Sequence, residues 1–127
     1  DVQKRHRVVK LLGRLFYSPT SNIVLTFHAI FKEWCGRSID MDTSIRSTIL
    51  SCLVNITKNT AQKTGCKHVR EEASAVLLKM ISSDPEVDIR LLGIHSICDL
   101  CHAKPDLIAP KLLRGIGKRV ESKNKVE

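Results

Sequence analysis

Three stretches of this chain repeat one another. Arg5, Arg46 and Arg90 head them, spaced 41 and 44 residues apart, and apolar positions follow in register: Val8, Ile49 and Gly93; Leu12, Leu53 and Ile97; Leu15, Ile56 and Leu100. The intervening segment repeats as well, with Phe27, Phe31 and Trp34 matching Val69, Ala73 and Val76 at a shift of 42. A two-helix unit of this length cannot bury its apolar face alone and must stack on copies of itself. The repeat therefore predicts an all-α fold, an α-solenoid of about six helices cut from a longer repeat protein.

The local pattern agrees. Apolar residues recur at helical spacing almost from end to end, without the sustained period-two alternation of a half-buried strand. The spacing predicts a first helix with Val8, Leu12, Leu15 and Phe16 on its core side, broken by Ser18-Pro19-Thr20-Ser21. A second helix carries Ile23, Phe27, Ile30, Phe31 and Trp34 on one stripe, read as core and not as a base-stacking platform, and ends near Gly36. The third begins at Asp42 or Thr43, either of which can cap it, and buries Ile45, Ile49, Cys52, Leu53 and Ile56. A fourth shows Val69, Ala73, Val76, Leu77 and Met80. The fifth starts at Asp84-Pro85, a cap followed by a first-turn proline, and buries Ile89, Leu92, Ile97 and Leu100. A sixth runs from Asp106 through Ile108, Leu112, Leu113, Ile116 and Val120. On this reading residues 1–127 form a single repeat segment: 1–17 is the second helix of a preceding repeat, 21–57 and 66–102 are full repeats, and 106–123 is the first helix of a following one. Missing neighbours at the two ends would leave apolar surface exposed.

Composition narrows the function classes. No apolar run approaches the roughly 20 residues needed to span a bilayer, so no membrane role is expected. The five cysteines are odd in number and sit in apolar helical pattern, and no secretory leader opens the chain, which together predict reduced thiols in cytosol or nucleus. Lys and Arg outnumber Asp and Glu by 21 to 13, a formal charge of +8, which favours anionic partners.

Cys98-Asp99-Leu100-Cys101-His102 has the spacing of thioether haem attachment, but it falls on the second half of the fifth helix, in register with Leu53–Thr57, and reads as a packing segment. Zinc would need a second ligand pair, and Cys66 with His68 is not a recognised half-site. Gly115-Ile116-Gly117-Lys118-Arg119 lacks the phosphate-loop spacing, and the five histidines are dispersed. No catalytic residue, metal or cofactor is expected. The charged features that stand out are two basic ridges. Lys4, Arg7, Lys10 and Arg14 share one helix face, and Lys111, Arg114 and Lys118 share another; these seven form the candidate partner or anion-binding face.

The acidic residue before an Ile-Arg pair, in "MDTSIR" and "PEVDIR", resembles the HEAT-repeat consensus, which marks Arg5, Asp42, Ile45, Arg46, Asp88, Ile89 and Arg90 as structural repeat positions. In that family acidic and Arg side chains link neighbouring helices. Three longer stretches, "RVVKLLGRLF" at 7–16, "MDTSIRSTILSCLVN" at 41–55 and "SSDPEVDIRLLGIHSI" at 82–97, resemble the middle repeats of the Pds family of cohesin-associated regulators of sister-chromatid cohesion. The resemblance implies a nuclear, chromosome-associated scaffold without enzymatic activity that docks on the kleisin subunit of cohesin and helps recruit release and acetylation factors. It assigns no binding residue. The alternative reading is a basic solenoid that contacts DNA or RNA phosphates non-specifically.

Overall fold

The computed structural model describes residues 1–18, 22–60, 65–103, 114, 115 and 117. Its elements are α1 (Val2–Tyr17), α2 (Ile23–Thr26), α3 (His28–Cys35), a 3-10 turn (Gly36–Ile39), α4 (Thr43–Thr60), α5 (Lys67–Ser83) and α6 (Val87–Ala103). The described residues contain no strand, and the fold is an all-α helical-repeat stack. The sixth predicted helix lies largely outside the described residues, of which Arg114, Gly115 and Gly117 are helical.

Helix boundaries follow from local chemistry. The Asp1 carboxylate accepts the Gln3 N–H at 2.9 Å and caps α1. Ser18 ends it in an extended conformation (ψ 126°), as expected for a residue that precedes proline. Asp42 Oδ1 accepts the Ile45 N–H at 3.1 Å at the start of α4, and Asp84 Oδ1 accepts the Glu86 N–H at 2.9 Å before α6. Thr57 and Thr60, buried in the last turns of α4, donate their hydroxyls to the Leu53 and Ile56 carbonyls and so carry no unsatisfied polar group into the core.

Helix α4 is the centre of the molecule and packs against α1, α5 and α6. Ile45, Ile49, Leu50, Leu53 and Ile56 are fully buried, each contributing roughly 1.5–3 kcal/mol of apolar transfer free energy. From α5 come Val69, Ala73, Leu77, Met80 and Ile81, and from α6 Ile89, Ile97 and Leu100. A second cluster is aromatic. Phe16 meets Phe31 and Trp34 edge-on, with ring centroids at 5.3 and 5.5 Å, and the Trp34 indole donates to the Val9 carbonyl at 2.9 Å.

Three expectations about the core need correction. The second predicted helix is broken at Phe27 (φ −117°, ψ 50°) into α2 and α3, so the buried set is Val24, Phe31 and Trp34, while Phe27 and Ile30 face solvent. In α1 the buried residues are Val9, Gly13 and Phe16, and Val8 and Leu15 are exposed. The cause is Gly13: a Cβ there would lie 2.5 Å from Cys52 Sγ and 3.2 Å from Trp34 Cζ2, so its bare backbone is what lets α1 close on α4 and α3. Alignment of the repeats by apolar side chains alone puts this helix one position out of rotation. In α6, Leu92 is exposed and Gly93 is buried instead, where an added Cβ would lie 2.6 Å from Ile81 Cγ1.

Candidate functional site

Repeat-to-repeat linkage runs through two buried aspartates. The Arg5 guanidinium donates to both Asp40 carboxylate oxygens, at 3.2 and 3.3 Å, with Arg37 beside them at 3.6 Å. One repeat further on, Arg46 Nε donates to Asp84 Oδ2 at 2.9 Å and Nη2 to Oδ1 at 3.4 Å. Each aspartate is also bound through its main chain: Arg46 Nη1 donates to the Asp40 carbonyl at 2.8 Å, and Arg90 Nη1 donates to the Asp84 carbonyl. The result is a ladder, Arg5–Asp40–Arg46–Asp84–Arg90, along one edge of the stack. Burial alone would raise the Asp40 carboxyl, but the Asp42 backbone amide and the Arg5 and Arg37 guanidinium groups outweigh it and hold the acid below its ordinary range.

The linking acids are therefore Asp40 and Asp84, not Asp42 and Asp88. Asp42 caps α4, and Asp88 stands exposed in the first turn of α6. Of the other repeat positions, Ile45 and Ile89 are core. A signal for the true pair was present: Asp40 and Asp84 are separated by the same 44 residues as Arg46 and Arg90. Each lies at the same distance before its arginine, ahead of the Asp42–Arg46 and Asp88–Arg90 stretches that carry the consensus resemblance.

Lys4, Arg7, Lys10 and Arg14 all lie exposed on α1, and no ion pair engages any of them among the described residues. Lys10 and Arg14 border a cleft of 260 Å³ between α1 and α4, opposite Ser47, Thr48, Ser51 and Asn55. Arg114 is exposed as well, and Lys111 and Lys118 lie outside the described residues. The α1 group is thus a continuous basic face beside a hydroxyl-lined groove, suited to carboxylate or phosphate groups.

Sequence reading left the histidines scattered, but the fold brings two together. His28 on α3 meets His68 on α5 edge-on at 5.1 Å, and its Nε2 lies 3.0 Å from Glu72 Oε2, while Lys32 Nζ lies 3.9 Å from the other carboxylate oxygen, Oε1. The partners are about one repeat apart in sequence, too far for a local motif. Burial, followed by the Glu72 charge, pushes the neighbouring Cys35 thiol up to about 12, far from a reactive thiolate. Cys98 and His102 are exposed on α6 and Leu100 between them is buried, so the Cys-x-x-Cys-His segment packs through its leucine. No group of three or more His, Cys, Asp or Glu with metal-binding geometry occurs among the described residues.

None of the described helices is long and apolar enough to cross a membrane. Comparison with curated proteins and with solved structures gives no match. Residues 1–126 do match the family described as sister chromatid cohesion protein PDS5. With its repeated helix pairs and the family match spanning nearly the whole chain, the protein belongs to that family of sister-chromatid cohesion regulators.

Proposed function

We propose that the chain is a non-enzymatic interaction scaffold that regulates cohesion in the nucleus by binding the kleisin subunit of cohesin and helping to recruit its release and acetylation factors. The observation that carries this reading is the α1 face, where Lys4, Arg7, Lys10 and Arg14 are exposed and free of ion pairs among the described residues. Such a face steers an acidic segment onto a rigid helical support, and the adjoining groove between α1 and α4 offers hydroxyls to its polar groups. Burial holds the Cys35 and Cys52 thiols in the protonated form, so neither is a thiolate nucleophile.

A second reading uses the same cations. The formal charge of +8 and the unpaired ridge favour non-specific contact with DNA or RNA phosphates. Titration of the chain with a labelled kleisin segment and, in parallel, a random duplex separates the two. Kleisin binding that persists from roughly 50 to 200 mM salt, and is weakened by Arg7→Glu, Lys10→Glu and Arg14→Glu, supports the scaffold. Duplex binding that falls by orders of magnitude over that range, without kleisin binding, supports the phosphate contact.

A further inference from the structure

The most exposed apolar side chains in the described structure stand beside its best-anchored polar residue. Ile39 is 75% and Met41 96% exposed, and Asp40 between them is buried. Asp40 is held by Arg5, Arg37, the Arg46 guanidinium on its carbonyl and the Asp42 amide on its carboxylate. The turn is clamped at its centre, and Ile39 and Met41 stand in solvent on either side of the clamp.

Two clefts meet at this turn. One, of 480 Å³, lies on the Arg5 and Arg37 side. The other, of 320 Å³ and mostly apolar, runs from Ile39 and Met41 to Met80 and Pro85, with Lys79 on its rim. Asp84 is the repeat counterpart of Asp40, so this second cleft spans the ladder from one repeat to the next. Its size is that of a pocket for a few side chains. Methionine at its mouth adapts to the shape of an incoming apolar group.

The charges choose the occupant. Lining the two clefts are four cations, Arg5, Arg37, Arg46 and Lys79, against two carboxylates, Asp40 and Asp84, and both acids are buried and already paired. Arg46 is buried against Asp84 and Arg5 is paired with Asp40, so the outward-facing excess is positive and consists of Arg37 and Lys79. We propose that this edge is a docking groove for a short extended peptide segment of a partner protein that carries a bulky apolar anchor flanked by Asp or Glu. The anchor inserts between Met41 and Pro85, and the acidic flanks face Arg37 and Lys79. This surface is separate from the α1 face, and the inference goes beyond the function proposed above.

The test is selection of phage-displayed random 12-residue peptides on the immobilised chain, followed by fluorescence anisotropy of a labelled selected peptide. Selected sequences are expected to combine Leu, Met or Phe with neighbouring Asp or Glu. Their affinity should fall at least tenfold for Ile39→Glu with Met41→Glu and stay within twofold for Lys58→Glu, an exposed change elsewhere on α4. Met41→Ser, milder in its effect on folding, should weaken binding in the same direction, with circular dichroism confirming helix content for every variant. No enrichment, enrichment of basic sequences, or binding indifferent to both Ile39 and Met41 overturns the proposal. So does sedimentation showing that the chain self-associates and that Met41→Glu abolishes this, because the occupant is then a second copy.

Discussion

Arg46 and Asp84 form a buried two-point contact, Nε to Oδ2 at 2.9 Å and Nη2 to Oδ1 at 3.4 Å, between α4 and the turn that leads into α6. Both side chains are almost entirely removed from solvent. Loss of one partner leaves the other charge buried without compensation, so Asp84→Ala should lower the free energy of unfolding by about 3–5 kcal/mol. Replacement of both residues by apolar side chains of similar volume should recover only part of that loss, because the Asp40 carbonyl and the Glu86 N–H also lose their partners. Urea denaturation of the two variants against wild type measures the difference; equal destabilisation by the single and double changes would mean the pair acts through geometry and not through charge.

Acid should weaken the ladder through Asp40. Its carboxyl lies below the ordinary range in the folded chain, despite burial, because of the Asp42 amide and the Arg5 and Arg37 guanidinium groups. A depressed folded-state pKa gives stability that is fully present above the unfolded value of about 3.9 and lost as pH falls through the folded value. Thermal melts below about pH 4 should therefore fall less steeply with acidity for Asp40→Asn than for wild type, from a lower starting point at neutral pH.

Close helix approach at Gly93 sets a limit on side-chain size. A Cβ there would lie 2.6 Å from Ile81 Cγ1 and 3.4 Å from Leu50 Cδ1. Gly93→Val should cost about 1–3 kcal/mol by overpacking, more than any gain in helix propensity returns, and lower the melting temperature. Gly36→Ala, where nothing lies within 4 Å, is the matched control and should change the melting temperature little.

Thiol labelling should proceed in order of accessibility. Cys98 is exposed, Cys52 and Cys66 are buried, and Cys35 is pushed up to about 12 by burial and the Glu72 charge. Iodoacetamide at pH 8 should alkylate Cys98 first and leave Cys35, Cys52 and Cys66 largely unmodified until denaturant is added, as peptide mass spectrometry would show. Early modification of Cys35 would mean that α3 opens readily.

How much was legible in advance depends on the range of each interaction. Caps at Asp42 and before α6, the core of α4 and α5, and the exposed cations of α1 all follow from residues within a turn or two of one another. The ladder acids and the His28–Glu72–His68 cluster were missed because their partners lie 35 to 44 residues away. Only the repeat interval, applied to polar as well as apolar positions, could have pointed to them.

By itself the sequence determined that this protein is a stack of helix pairs, because a repeated 3.6-residue apolar period has no other way to leave water. Tertiary structure decided which side of α1 and of α6 is core. Val9 replaces Val8 and Gly93 replaces Leu92 at the interface, because backbone contact at a glycine turns the helix toward its neighbour more strongly than one further apolar side chain can. It also decided that Asp40, a polar residue, is buried, while Met41, an apolar one, is not: two guanidinium groups and a backbone amide satisfy the carboxylate more completely than burial of a single methionine could offset.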